Sequence, residues 1–342
     1  MKVKRTRLWI TGWACVLMGL AVLIPGLLVE RIDEAAAPPH ASEAELAVQE
    51  ERLTIRVHLA DSGQIESVPL ETYVRGVVAA EMPIEFEVEA LKAQAIAART
   101  YIVRRMAAGD FSDMAVSGAI VTDTVKHQAY ISEKELGNQW PWWMRPRNLA
   151  KLNRAVSETA GLIATYEGEP IQAVYFSTSN GYTENSEEYW SEAVPYLRSV
   201  PSPWDAELSP KYRAVVELDA AEALRKLGIA ESAAGEGTYP EVRILEKTAG
   251  HRVKKVRIAG HEFTGREVRE KLGLASAHFE WEWKEGKAVI TTYGYGHGIG
   301  MSQYGANALA KQGKSARDII RYYYQGADIT KWTPEAGVMA NL

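Results

Sequence analysis

Residues 70–102 read LETYVRGVVAAEMPIEFEVEALKAQAIAARTYI and decide the fold around them. Apolar side chains recur at positions 70, 74, 77 and 78, which is the spacing of one face of a helix. Glu81 returns to that face, because each residue turns a helix by about 100°. Pro83 disfavours helical geometry at Met82. The pattern therefore predicts a helix that ends with Glu81 in its last turn.

A second helix is predicted from about Glu87 to Met106, with alanines that allow another backbone to come close. A carboxylate on the apolar face between two such helices loses solvation of its charged form, so the pKa of Glu81 should rise. That is the property of a general acid that works near neutral pH. The alternative is a helix-end glutamate that faces solvent or pairs with Arg99 or Lys92.

Length and charge exclude some classes of function. The chain has 342 residues, of which 46% are hydrophobic and 24% charged, and it can bury a substantial core. Its formal net charge is −5. Four of the 39 basic residues precede the first acid, Glu30, which leaves 35 basic against 44 acidic side chains in the rest. This balance argues against a nucleic-acid partner.

The N-terminal region predicts a membrane anchor. Residues 1–7 are basic, and the 22 residues 8–29 contain no charged side chain. As a helix they would span about 33 Å, against roughly 30 Å of bilayer hydrocarbon. The basic flank predicts a single-pass transmembrane helix with its N-terminus in the cytoplasm. A cleaved signal peptide is the alternative. Residues 30–50 are predicted to form a linker.

The sequence predicts no metal site. Cys15, in the apolar segment, is the only cysteine. The seven histidines are scattered and form no HExxH motif. The ligand spacing of a zinc site is therefore missing.

Short elements are predicted between the helix pair and the C-terminal region. Residues 53–59 alternate as a half-buried strand ahead of the helices. A helix is predicted from Asn153 to Gly161, then a hairpin of 162–166 with 171–176. Residues 241–246 and 253–258 alternate and are predicted to pair. A tryptophan run at 140–143 has three readings, namely sugar stacking, core packing, or contact with a protein or membrane.

Four glycines at 294, 296, 298 and 300 alternate with larger residues. In an extended strand they would leave one face as bare backbone, which a ligand or another chain segment can approach closely. His297 within this run either has a functional role, as a proton carrier or by orienting Glu81, or is a histidine hydrogen-bonded in a packed turn. Ser302 is predicted to cap a helix that runs to Gln312.

Four separated blocks together resemble one family. The run GYGHGIGMSQYGA at 294–306 is similar to the C-terminal signature of the stage II sporulation protein D and amidase enhancer family. The runs AEMP at 80–83, KAQAIAARTY at 92–101 and YFSTSNGYTE at 175–184 resemble its other blocks, in the same order. The resemblance covers about residues 50–330.

The resemblance implies a peptidoglycan lytic transglycosylase of spore-forming bacteria, with Glu81 as the catalytic residue and no cofactor. The implied substrate is the glycan strand freed of stem peptides, cut during forespore engulfment. The implied partners are an amidase/endopeptidase and a membrane protein of the engulfment complex. Zinc, which some family members bind through cysteines and histidines, is expected to be missing. The substrate-binding residues implied by motif position are Gln94, Arg99, Tyr175, Ser177, Ser179, Tyr182, Thr183, His297, Gly298, Gln303 and Tyr304.

Gln94 and Arg99 are expected to fix the side chain of Glu81. The residues expected to hydrogen-bond the N-acetyl groups and stabilise the oxocarbenium-like state are Tyr175, Ser177, Ser179, Tyr182, Thr183, Gln303 and Tyr304. The expected fold class is α+β, with the transmembrane helix followed by a two-lobed extracytoplasmic domain. A helix-rich catalytic lobe would comprise residues 51–205 and 291–330, with a strand-rich lobe at 206–290 inserted and a tail at 331–342.

Two other classes of function remain open at this point. One is a non-catalytic activator that binds glycan and stimulates a partner hydrolase. The other is an ordinary muramidase, which needs a second carboxylate on the opposite face of the sugar. Glu85, Glu87 and Asp110 are the candidates for that second carboxylate.

Overall fold

The computed structural model describes residues 53–230 and 239–332, and they belong to one compact unit, Leu46–Leu342. The predicted cytoplasmic segment 1–7, membrane span 8–29 and linker 30–50 lie outside the described residues. Across the two described ranges, no helix has both the length and the apolar character needed to cross a bilayer.

Helices and strands are mixed along the chain, so the predicted α+β class is confirmed. The helices of the described residues are α1 (Leu70–Glu81), α2 (Val88–Ala108), α3 (Glu133–Leu136), α4 (Arg145–Ser157), α5 (Glu187–Trp190), α6 (Asp205–Leu208), α7 (Ala220–Leu227), α8 (Gly265–Leu272), α9 (Gln303–Lys311) and α10 (Ala316–Tyr323). The strands are β1 (Thr54–His58), β2 (Ile65–Pro69), β3 (Val121–Thr122), β4 (Leu162–Tyr166), β5 (Glu169–Pro170), β6 (Tyr175–Phe176), β7 (Gly181–Tyr182), β8 (Pro201–Ser202), β9 (Arg213–Asp219), β10 (Val242–Lys247), β11 (Val253–Ile258), β12 (His261–Thr264), β13 (Phe279–Lys284), β14 (Lys287–Tyr293), β15 (Met301–Ser302) and β16 (Asp328–Lys331).

The helix pair predicted around Glu81 is confirmed. Helix α1 ends at Glu81, and Met82 before Pro83 is extended, with φ −121° and ψ 138°. Helix α2 is the centre of the larger hydrophobic core, and α1, α4, α9, α10 and β4 all pack against it. The alanines along α2 are buried, which allows this close approach from several sides.

A second hydrophobic core lies in the strand-rich region. Helices α7 and α8 pack there with strands of two sheets, in the orders β10-β11-β12 and β13-β14-β9. The predicted pairing of 241–246 with 253–258 is confirmed as β10 with β11. The division of the domain into two lobes at the predicted boundaries stays a prediction.

Two predictions for the middle of the chain are wrong. Helix α4 begins at Arg145 rather than Asn153, because Pro146 suits the first turn of a helix. The predicted hairpin of 162–166 with 171–176 is not formed as such, because β4 pairs on one edge with the two-residue strand β5 and on the other with β16. Strand β6 leaves that sheet and pairs in parallel with β15, which follows the glycine run. This crossing brings Tyr175 and Gln303 to the end of α1.

The glycine run does not form the predicted extended strand. The φ angles of Gly294, Gly296, Gly298 and Gly300 are 81°, 117°, 91° and 75°. Side chains other than glycine rarely adopt such angles, so the chain winds instead of extending. A Cβ on Gly300 would lie 2.1 Å from the carbonyl oxygen of Val174. The close approach that the glycines predicted is thus made by backbone at Gly294 and Gly300, and by the side chains of Phe176 and Arg252 at Gly296 and Gly298.

Candidate functional site

Glu81 lies at the base of an open cleft of about 520 Å³. Glu81 is the last residue of α1, and Met82 ends the helix after it. Oε1 accepts a hydrogen bond of 3.0 Å from the backbone N–H of Ala129, and Oε2 accepts one of 3.3 Å from Nε2 of Gln303. Neither partner is close to Glu81 in sequence. The fold therefore holds the carboxyl group from two sides and leaves it half-buried.

Burial raises the pKa of Glu81 above its ordinary value of 4.5. Hydrogen bonds from Ala129, Gln303 and Tyr175 favour the charged form and offset part of that rise in the pKa. The net shift is upward, so the protonated form of Glu81 persists to higher pH than that of an exposed glutamate. The group is thereby suited to act first as an acid and then as a base.

A chain of buried polar groups supports Glu81 from the protein interior. The hydroxyl of Tyr73 donates to Oε1 of Gln128 at 3.1 Å, and Nε2 of Gln128 donates to the hydroxyl of Tyr175 at 3.0 Å. Tyr175 in turn hydrogen-bonds to Glu81. Because Gln128 occupies the hydroxyl oxygen of Tyr175, the hydroxyl proton is directed toward the carboxylate.

His297 forms part of the cleft wall as a neutral ring. Its Nδ1 accepts a 3.0 Å hydrogen bond from the backbone N–H of Ile299. Burial, together with the nearby guanidinium groups of Arg269 and Arg252, lowers the pKa of His297 to about 4. The geometry therefore favours the second reading of this residue, a histidine hydrogen-bonded in a packed turn.

The cleft brings five of the predicted substrate-binding residues together with Glu81. They are Tyr175, Ser177, His297, Gln303 and Tyr304. The other six do not line it, namely Gln94, Arg99, Ser179, Tyr182, Thr183 and Gly298.

The expected contact between Arg99 and Glu81 is wrong. Arg99 is fully buried and pairs with Glu71, with Nε and Nη2 at 2.8 and 2.5 Å from the two carboxylate oxygens. Its Nη1 donates to the carbonyl oxygen of Leu162 at 3.0 Å. Arg99 thus joins α1, α2 and β4. Lys92 likewise pairs with Glu89 and Glu158.

The expected contact between Gln94 and Glu81 is also not formed. Gln94 is fully buried in α2, and its two side-chain polar atoms have no hydrogen-bond partner within the described residues.

Three further predicted residues hold the loops behind the cleft. The hydroxyl of Ser179 donates to the carbonyl oxygen of Ser202 at 2.5 Å, and the hydroxyl of Thr183 donates to that of Arg198 at 3.1 Å. Gly298 lies against the guanidinium group of Arg252, where a Cβ would be 2.2 Å away from it. These residues shape the site from outside it. Tyr182 is exposed and packs against His251.

Several cleft residues were missed from the sequence. The loop at 125–129 supplies Val125, His127, Gln128 and Ala129, and no periodicity marks that loop. Lys211 lies beyond the predicted start of the strand-rich lobe, with its Nζ 5.0 Å from the ring centre of Tyr295. Tyr101 lies within one of the blocks that resemble the family. That block could have identified Tyr101 as a cleft residue.

Glu81 is the only carboxylate among the described residues that line the cleft. Glu85 and Glu87 are exposed beyond Pro83, and Asp110 is fully exposed past the end of α2. Within residues 53–230 and 239–332, no group of three His, Cys, Asp or Glu side chains could hold a metal ion. The arrangement can carry out proton transfer at one acid in a polar, aromatic-walled cleft.

Comparisons with known proteins show the family of this chain. The family model described as stage II sporulation protein matches residues 60–166, which include Glu81 and the loop at 125–129. The chain is 50% identical over 288 residues to stage II sporulation protein D of Bacillus amyloliquefaciens, covering 84% of this chain and 82% of that protein.

Two proteins of Bacillus subtilis (strain 168) are also similar. Its stage II sporulation protein D is 45% identical over 329 residues, covering 92% of this chain and 94% of that protein. Its amidase enhancer is 30% identical over 308 residues, covering 76% of this chain but only 40% of that longer protein. The chain therefore belongs to the stage II sporulation protein D family.

Proposed function

We propose that this protein is a lytic transglycosylase that cleaves the β-1,4 bond between N-acetylmuramic acid and N-acetylglucosamine in peptidoglycan. Its substrate is the glycan strand from which stem peptides have been removed, and its product ends in 1,6-anhydro-muramic acid. The observation that carries the proposal is the single carboxylate in the cleft. A two-carboxylate hydrolase needs a second acid, and none lies opposite Glu81 among the residues lining the cleft.

One carboxyl group suffices because the substrate supplies its own nucleophile. Protonated Glu81 gives its proton to the glycosidic oxygen, the bond from that oxygen to the muramic C1 breaks, and the N-acetylglucosamine chain leaves as an alcohol. The carboxylate then takes the proton of the muramic C6 hydroxyl while O6 bonds to C1. Glu81 ends protonated, ready for another turnover.

The surroundings of Glu81 fit both halves of this cycle. Burial raises the pKa of Glu81 and so favours the protonated form, which the first proton transfer needs. Hydrogen bonds from Ala129, Gln303 and Tyr175 then stabilise the carboxylate that remains. Ser177 and Tyr304 also line the cleft and are placed to hydrogen-bond the N-acetyl and hydroxyl groups of the sugars.

The proposed setting is the outer face of a cell membrane during forespore engulfment. Residues 8–29 would anchor the chain, with residues after Glu30 outside the cytoplasm. Its proposed partners are a sporulation amidase/endopeptidase, which removes the stem peptides, and a membrane protein of the engulfment complex. Full-length protein extracted from membranes should keep its original N-terminus. A processed N-terminus near Ala37 in soluble protein would contradict the anchor.

The similarity to an amidase enhancer supports a second candidate function. In that case the cleft would bind glycan and stimulate a partner hydrolase without cutting the strand. Glu81 would then be a polar contact to the sugar rather than an acid.

Product analysis separates these functions. Purified full-length protein is incubated with glycan strands freed of stem peptides, and the new ends are identified by mass spectrometry. Anhydro-muramic ends support the transglycosylase. New reducing ends indicate a muramidase, and intact strands indicate the activator.

A further inference from the structure

A second hollow lies on the other side of the loop that follows Glu81. It has a volume of about 400 Å³ and is lined by Ile84, Glu85, Arg147, Asn148 and Lys151. Pro83 lines the catalytic cleft, while its neighbour Ile84 lines this hollow. The Cα atoms of Glu81 and Glu85 are at most about 14 Å apart, because four residues of extended chain span no more. One extended ligand can therefore reach both places.

The donors in this hollow are not used by the protein itself. Asn148 is 2% exposed, yet its Nδ2 has no hydrogen-bond partner among the described residues. An amide group buried without a partner is costly, so a bound acceptor would relieve that cost. Arg147 and Lys151 lie one turn apart on α4 and line the same space. Within the described ranges, neither forms a hydrogen bond or an ion pair that would occupy it.

The charge of the hollow favours an anion. Burial lowers the pKa of Lys151, and the nearby guanidinium group of Arg147 lowers it further. The carboxylates of Glu87 and Glu85 raise that pKa, but they do not reverse the shift. A negative group bound between the two cations would complete this balance. Guanidinium and ammonium groups are the side chains that bind carboxylates most strongly.

The remaining lining narrows the class of ligand. Ile84 supplies an apolar wall, and Glu85 supplies an acceptor for a hydroxyl group. A volume near 400 Å³ exceeds that of a lone ion and suits a sugar ring with its substituents. Donors for a carboxylate, an acceptor for a hydroxyl and an apolar face together match a carboxylate-bearing sugar.

We propose that the hollow of Ile84, Glu85, Arg147, Asn148 and Lys151 is an outer subsite that binds the free carboxylate of a muramic sugar further along the strand that enters the cleft. This inference rests on the proposed function, because the strand is its substrate. The subsite distinguishes a strand with free carboxylates from one in which those groups are neutral amides. It contributes to binding the strand and takes no part in proton transfer.

The test measures strand binding in the Glu81→Gln background, so that the ligand stays intact. The probe is a glycan strand several disaccharides long with free muramic carboxylates. Its neutral counterpart has the same length and carboxylates converted to amides. The test variant adds Arg147→Gln and Lys151→Gln. The control variant adds Lys284→Gln and Lys287→Gln, which remove the same charge from the strand-rich region.

If the subsite exists, the test variant should bind the free-carboxylate strand at least about tenfold more weakly than the Glu81→Gln protein does. This is the effect of losing a hydrogen bond to a charged group. The control variant should bind it as the Glu81→Gln protein does, and the amidated strand should bind all three proteins equally. An equal loss for both strands, or no loss for either, would overturn the inference. Should the test variant fail to fold, Arg147→Gln alone carries the same comparison, since Arg147 is exposed.

The two proposals fail in different ways. If the binding difference is present but protein with Glu81 intact releases no anhydro-muramic ends, the proposed function is wrong and the subsite stands. If such protein releases those ends but the binding difference is missing, the subsite is wrong and the proposed function stands.

Discussion

Nε2 of Gln303 lies 3.3 Å from Oε2 of Glu81, although 222 residues separate the two in sequence. The contact joins the end of α1 to the first residue of α9. It depends on the glycine run, which directs the chain into β15 beside β6. Two of the sequence blocks that resemble the family therefore meet at one carboxyl group.

Tyr175→Phe tests the hydrogen bonds that set the pKa of Glu81. The hydroxyl of Tyr175 stabilises the carboxylate, so its removal raises the pKa of Glu81 further. The rate of strand cleavage falls as pH rises through that pKa, because the protonated acid starts the reaction. We expect the falling limb of the pH–rate profile to move to higher pH in Tyr175→Phe.

Tyr304→Phe is the matched control for that shift. Tyr304 lines the same cleft, but it does not contribute to the pKa of Glu81. Its variant should keep the falling limb of the wild-type profile. A limb that does not move in Tyr175→Phe, or that moves equally in both variants, would exclude the role assigned to the Tyr175 hydroxyl.

Arg99→Met tests the structural role of Arg99. The change leaves the carboxylate of Glu71 buried without its partner, and breaking a buried pair in this way costs about 3–5 kcal/mol in the free energy of unfolding. Denaturant unfolding measures that loss. The double variant Arg99→Met/Glu71→Gln should recover part of the lost free energy of unfolding. Cleavage activity per folded molecule should stay near that of wild type. A folded Arg99→Met protein without activity would show that Arg99 contributes to the active site and not only to stability.

Gly300→Ala tests the close approach at the end of the glycine run. A side chain at φ 75° costs about 1–2 kcal/mol, and the new Cβ would also lie 2.1 Å from the carbonyl oxygen of Val174. We expect a loss of stability beyond the cost of the φ angle, together with loss of activity, because Val174 precedes Tyr175.

Gly313→Ala is the control for the φ angle alone. Its φ is 82°, and a Cβ there would meet nothing within 4 Å. It should lose only about 1–2 kcal/mol in the free energy of unfolding and keep its activity. Equal losses in the two alanine variants would show that the contact with Val174 contributes nothing.

Cleavage should not depend on a metal ion. The only cysteine lies outside the described residues, and those residues contain no cluster of three metal-ligating side chains. Exhaustive chelation of purified protein should leave the rate of strand cleavage unchanged. Loss of activity on chelation, with recovery on adding zinc, would contradict this prediction.

The sequence pattern predicted the helices around Glu81 well, because helical periodicity and the effect of Pro83 on Met82 are both local properties of the chain. It did not predict the conformation of the glycine run. Alternating glycines suit both an extended face and a winding segment at positive φ, and only the packing of Val174 against Gly300 decides between them. The ion pair of the fully buried Arg99 with the partly buried Glu71 was missed for a similar reason. An arginine in a block that resembles a known family looks the same whether it serves the site or the core.

The tryptophan run shows the same limit. Trp140 packs against the larger core, whereas Trp142 and Trp143 are 76% and 65% exposed. Neighbouring tryptophans of one run therefore lie in two environments, the core and the solvent-exposed surface. The loop at 125–129 could not be found from the sequence at all, because the backbone N–H of Ala129 contacts Glu81 whatever its side chain.

Glu81→Gln also has a predicted effect on stability. Burial raises the pKa of Glu81 in the folded state, so the stability of the wild type decreases as pH rises through that pKa. The glutamine variant has no such loss. It should therefore equal or exceed the wild type in free energy of unfolding at neutral pH, and that gain should vanish below pH 4.5, the ordinary pKa. Unfolding curves at two pH values check this and show that the variant is folded.

The most direct test of the central claim is the rate at which Glu81→Gln releases anhydro-muramic ends from strands freed of stem peptides. General acid catalysis contributes about 10²–10⁴-fold, so we expect a loss at or beyond the upper end of that range, with strand binding retained. Glu87→Ala and Glu89→Ala serve as controls and should lose far less. If folded Glu81→Gln releases these ends at near the wild-type rate, Glu81 is not the acid and the account of the cleft is contradicted.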